Sequence, residues 1–182
     1  MLFGGAAGGG LELRRLEGGR VRLSGAFPYD SPAELAPGLV EVIASRAFGA
    51  RIEAGEDIHL LSGHDYDKPL ASREAGTLTL SDDDDALRFN ATLTVDTSWA
   101  RDFLAAHEAG LIRGLSPGFM VAEQGERVER SGGEVRRTIT MADLFELSAV
   151  TRPAYPKAQV EARTWTPETP APAPAASWRW RA

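Results

Sequence analysis

ALRFNATLTV, residues 86–95, alternates without a break: Leu87, Phe89, Ala91, Leu93 and Val95 take one parity and Arg88, Asn90, Thr92 and Thr94 the other. A period of two is the mark of a strand with one buried and one wet face. Upstream, residues 76–80 form a second strand joined to it through Asp82, Asp83, Asp84 and Asp85. Nearer the start, Leu11, Leu13, Val21 and Leu23 alternate with Glu12, Arg14, Arg20 and Arg22 around Gly18 and Gly19, which predicts an opening hairpin. Residues 27–38 carry Pro28, Pro32 and Pro37 and predict a loop or one short turn. Short apolar runs follow at 39–44 and 58–61, the second leading into Gly63-His64-Asp65 and then a polar loop. Downstream, Thr97 or Ser98 caps a helix that turns Phe103, Leu104 and Ala106 to the core and stops at Gly110. A strand region around Ser116, a charged hairpin over 123–137 turning at Ser131-Gly132-Gly133, and a long apolar strand over 138–150 complete the pattern. Many short strands with one convincing helix indicate an antiparallel, strand-dominated α+β domain.

Composition bounds what such a domain does. A chain of 182 residues, 43% hydrophobic, is enough for one domain with a real core and too short for two independent ones. Residues 1–10 are glycine-rich and predict a flexible arm; 164–182 are a proline- and alanine-rich tail ending in Trp178-Arg179-Trp180-Arg181, predicted to be disordered. The folded domain is then 11–163. A net charge of −6 argues against a nucleic-acid partner held by phosphate neutralisation. The absence of cysteine excludes disulfides, thiolate catalysis and cysteine-bound zinc. No apolar run approaches the roughly 20 residues that span a bilayer. The first ten residues lack the basic start of a signal peptide. A soluble cytoplasmic protein without a membrane partner is the expectation.

Three residues carry candidate chemistry. Ser116 lies in Gly114-Leu115-Ser116-Pro117-Gly118-Phe119, where flanking glycines leave room for a substrate carbonyl and for backbone donors beside a nucleophilic hydroxyl. The same hexapeptide also reads as an ordinary β-turn, and it is not the G-x-S-x-G elbow. His64 follows a glycine just past a strand, where site residues concentrate, and imidazole is the general base suited to neutral pH. His59 reads as a half-exposed strand residue and His107 as a solvated helix residue. In strict alternation Ala142, Leu144, Glu146, Ser148 and Val150 share one face of the last strand, and Met141, Asp143, Phe145, Leu147 and Ala149 the other. Both faces are mainly apolar around Glu146, and a carboxylate buried there costs several kcal/mol unless partnered. Two partners fit equally: a histidine whose tautomer it fixes, or Arg152 or Arg113. The aspartate run lacks the alternate spacing of a calcium loop, and His59, His64, Asp65 and Asp67 lack metal-ligand spacing, so no metal or other cofactor is predicted.

The ordered set of segments resembles the prohead maturation proteases of tailed bacteriophages, serine peptidases related in fold to the herpesvirus assemblins. The matching residues are Arg20 to Gly25, Glu41-Val42-Ile43-Ala44 with Arg46-Ala47-Phe48, Gly63-His64-Asp65 with Pro69-Leu70-Ala71, and Gly76-Thr77-Leu78. They continue with the stretch around Ser116, Glu146 to Thr151, and Pro153-Ala154-Tyr155-Pro156. The resemblance covers about residues 11–163. It implies a closed, mainly antiparallel β-barrel flanked by a few helices, with Ser116 as nucleophile, His64 as base and Glu146 as third member. Assemblins use a second histidine in that third place, and neither His59 nor His107 follows Ser116. They also use an arginine near the oxyanion, for which Arg152 is the possible counterpart. The implied substrates are the major capsid protein and scaffold, and the protease itself, cleaved inside an assembling prohead in the bacterial cytoplasm where copies of the chain associate. The alternative is an inactive capsid-assembly or scaffold-binding module with the same fold.

Overall fold

The opening hairpin forms as the alternation demands, β1 (Leu11–Arg15) running antiparallel to β2 (Arg20–Pro28) with Leu11, Val21 and Leu23 buried. The computed structural model describes residues 11–16, 19–112, 114–151 and 153, so the predicted arm and tail lie outside the described residues, as do Arg113 and Arg152. The proline-rich segment is not a plain loop: β2 runs on to Pro28, and β3 (Ala33–Ala36) precedes β4 (Leu39–Ile43). A short helix that the sequence pattern did not announce, α1 (Gly49–Glu53), leads to β5 (His59–Ser62). The predicted polar loop after His64 is instead a strand, β6 (Asp65–Ser72), whose Tyr66 to Pro69 stretch is exposed and therefore reads as polar. β7 (Leu78–Asp82) and β8 (Ala86–Thr94) pair antiparallel across the aspartate run. That run is ion-paired rather than simply solvated: Asp83 and Asp85 hold Arg88, Asp84 holds Arg46, and Asp82 accepts from Tyr29.

The predicted helix is α2 (Ser98–Glu108), with Ala100 N–H donating to Thr97 Oγ1 at 3.4 Å and Ala100, Phe103 and Leu104 buried. After β9 (Gly114–Val121) the charged hairpin forms from β10 (Glu126–Ser131) and β11 (Glu134–Ile139). The long apolar strand is broken at Thr140 and Met141, so β12 (Ala142–Val150) stands apart from β11 and joins a different sheet.

Among the described residues the strands form three four-stranded sheets, ordered β1-β2-β8-β7, β10-β11-β4-β3 and β6-β5-β12-β9. This corrects the expected closed barrel while keeping the strand-dominated α+β class. Two pairings are parallel, β11 with β4 and β12 with β5, each joining segments far apart in sequence. Across the first of them Arg137 lies in register with Glu41, and its guanidinium holds Glu41 at 2.9 Å and Glu126 at 2.6 Å. One core gathers side chains from all three sheets, including Leu23, Phe27, Ile43, Phe48, Leu60, Leu87, Phe89 and Leu147. Fully burying each such side chain contributes about 1.5–3 kcal/mol, so the core holds the third sheet firmly against the other two.

Candidate active site

The third sheet carries all three candidate residues, and its register decides which way they face. On β9 and β12 the cross-strand partners are Ala142↔Val121, Leu144↔Phe119, Leu147↔Pro117 and Ala149↔Leu115. Ala142, Leu144, Leu115, Leu147 and Ala149 belong to the core, with Phe119 and Val121 packed against it, so this is the inner face. The other face pairs Asp143 with Met120, Glu146 with Gly118, Ser148 with Ser116 and Val150 with Gly114. Leu144 and Glu146 therefore lie on opposite faces, contrary to strict alternation. The cause is a β-bulge between them, in which Phe145 is the extra residue. It corrects the expected face assignment, since Glu146 lies opposite Leu144, while the expected burial on both sides holds from Glu146 to Val150.

His64 reaches this face from the β5–β6 hairpin. Ser62 pairs with Asp65, leaving Gly63 and His64 as a two-residue turn at φ 69° and 62°. Positive φ at both central positions is the pattern of the type I′ hairpin turn. The β10–β11 hairpin meets the same demand with two glycines, Gly132 and Gly133. A side chain in the left-handed region costs about 1–2 kcal/mol, and here that conformation aims an imidazole across β12. Gly63 N–H donates to Ala149 O at 3.1 Å and His64 N–H donates to Ser148 Oγ at 2.9 Å, tying the turn to β12.

Glu146 is 4% exposed and both its oxygens are engaged. His64 Nδ1 lies 2.8 Å from Oε1, and Ser148 Oγ donates to Oε2 at 2.6 Å. A carboxylate only accepts, so Nδ1 carries a proton, and in the neutral ring Nε2 then holds the lone pair. Of the two partners open to Glu146, the structure supplies the histidine. Gly118 makes room for this arrangement: a Cβ there would sit 2.6 Å from Glu146 Cδ and nearer still to Oε1.

Ser116 is 5% exposed and faces Ser148 directly across the sheet, which sets their Cβ atoms about 4.5–5.5 Å apart. Among the described residues its hydroxyl makes no hydrogen bond. The nucleophile–base hydrogen bond tightens in many enzymes only once substrate is bound. The same face extends over β5 and β6: His59 is in register with Glu146, and its ring meets Tyr66 edge-on at 5.9 Å. The Tyr66 phenol is pushed above its ordinary value, first by burial and then by the charge of Glu146, with Arg51 opposing. Arg51 itself stacks over Phe145 at 4.2 Å. His107 is elsewhere, stacked on Phe103 at 6.0 Å with Nδ1 3.2 Å from Ile112 O, and is half-buried rather than solvated.

Sequence reasoning did not single out Ser148, and it read Gly118 only as backbone freedom and space beside Ser116. The signal for Ser148 was its place two residues beyond a buried acid on a strand. No curated protein and no solved structure matches the chain. A family model does, over residues 11–170, and its description is caudovirus prohead serine protease. With a match over most of its length, on a fold that sets a serine, a histidine and a buried glutamate on one sheet face, the chain belongs to the caudovirus prohead serine protease family.

Proposed function

We propose that this chain is a serine endopeptidase that trims the major capsid protein and scaffold of a tailed phage, and itself, while the prohead matures. Ser116 is its nucleophile, His64 its general base and Glu146 the carboxylate that orients the base. The observation that carries this reading is the 2.8 Å pairing of His64 Nδ1 with buried Glu146, on the face where Ser116 stands. His64 Nε2 takes the Ser116 proton as Oγ attacks the scissile carbonyl carbon. The tetrahedral intermediate then expels the amine, which leaves with the proton from His64, and an acyl-serine remains. Water, deprotonated by the same nitrogen, attacks the acyl carbonyl, and the proton returns to Ser116 Oγ as the acid leaves. Glu146 stabilises the imidazolium in both halves without itself taking a proton.

A fluorophosphonate, which phosphonylates activated serines whatever their substrate, tests the assignment. Intact and peptide mass spectra of the purified chain are expected to show one adduct, on Ser116. The Ser116→Ala and His64→Ala chains stay unmodified, and Glu146→Gln reacts about 10³–10⁴-fold more slowly. A folded wild-type chain that takes no label is the inactive assembly module instead. Label at full rate in Glu146→Gln removes Glu146 from the machinery.

A further inference from the structure

We infer that Ser148 is a positioning residue for this reaction, the single group that holds both the acid and the base in place relative to Ser116. The inference rests on the proposed function above. Ser148 is fully buried, and its hydroxyl has two partners: it donates to Glu146 Oε2 at 2.6 Å and accepts from His64 N–H at 2.9 Å. A hydroxyl–carboxylate bond of that length is of the strong, charge-assisted kind. Both bonds go to the candidate triad and none to the scaffold. The first stops the carboxylate from rotating, so that Oε1 stays on His64 Nδ1 while Oε2 is occupied. The second joins the bond from Gly63 N–H to Ala149 O in anchoring the Gly63-His64 turn, and it is the one that falls on His64 itself, where the backbone is left-handed. Because Ser148 is the cross-strand partner of Ser116, both restraints are referred to the strand pair that carries the nucleophile. An alanine would fill much of the same space but leave a buried carboxylate oxygen and a backbone N–H without their bonds.

The test uses the full chain, the second-order rate of fluorophosphonate labelling at Ser116, the thermal unfolding midpoint, and the low-field proton resonance of His64 Nδ1–H on Glu146. Ser148→Ala is expected to slow labelling about 10- to 100-fold and to weaken or abolish the resonance, in a chain that still unfolds cooperatively. Ser148→Thr, which keeps the hydroxyl, regains most of the rate and the resonance. If Ser148→Ala does not fold, Ser148→Cys takes its place, since a thiol fills the site but donates weakly. Labelling of the Ala or Cys chain within about twofold of wild type, with the resonance intact, overturns the positioning role and leaves the proposed function standing. A slow Ser148→Thr, or a slow Ser148→Ala with the resonance unchanged, assigns the loss to packing and overturns it too. If the wild type is not labelled at Ser116, the proposed function fails. The resonance alone then decides whether Ser148 holds the His64–Glu146 pair, its survival in Ser148→Ala counting against.

Discussion

Gly118 is the residue that most narrowly limits the site. Its missing Cβ is the space that the Glu146 carboxylate fills. Gly118→Ala is expected to drive the carboxylate off His64 and lower labelling of Ser116 about 100-fold, since misplacement of that order has that effect on rate. The accompanying overpacking costs about 1–3 kcal/mol of stability, read by urea unfolding. A Gly118→Ala chain that labels at the wild-type rate would show that Glu146 does not need its present position. Ser116, His64 and Glu146 stood out in the sequence as candidates because each breaks a local rule: a serine between glycines, a histidine at a turn, an acid in an apolar run. Gly118 and Ser148 break none. Gly118 reads as turn chemistry and Ser148 as one small polar residue in a strand, and their meaning appears only once β9 and β12 are set in register.

Among elements, β12 shows how far periodicity reaches. Its strand character and burial were legible, but strict alternation put Glu146 on the face of Leu144, and the bulge at Phe145 reverses that. One inserted residue leaves almost no trace in a nine-residue apolar segment, because both parities look hydrophobic. β6 was missed for the opposite reason: as an edge strand it exposes Tyr66 to Pro69, so its composition is that of a loop. The end of β7 carries a pH-dependent contact. Burial raises the Asp82 carboxyl above its ordinary value; the Tyr29 hydroxyl, donating at 2.5 Å, and Arg46 oppose the shift, while Asp83 and Glu53 add to it. A carboxyl raised in the folded state contributes stability that is full below its unfolded value and is lost as pH rises through the folded one. Asp82→Asn cannot ionise, so urea unfolding is expected to show the variant gaining on wild type as pH rises from about 3 to about 6. A stability difference that stays flat over that range would contradict the shift.

At the scale of the molecule, the strand content and the α+β class were readable from period-two segments and turn residues, whereas the arrangement of the sheets was not. The parallel pairings of β11 with β4 and β12 with β5 join segments whose sequences carry no mark of each other. They are set by the shared core and, for the first, by Arg137 between Glu41 and Glu126. These pairings yield three four-stranded sheets where a closed barrel was expected, and the second of them brings the His64 hairpin beside the Ser116 strand pair. The central claim is that this arrangement cuts capsid protein. It is tested most directly by co-expressing the chain with its cognate major capsid protein and measuring the mass of that protein in the assembled shells. Shells made with the wild-type chain are predicted to hold shortened capsid protein, and shells made with Ser116→Ala the full-length form. Full-length protein in both, or shortened protein in both, would contradict it.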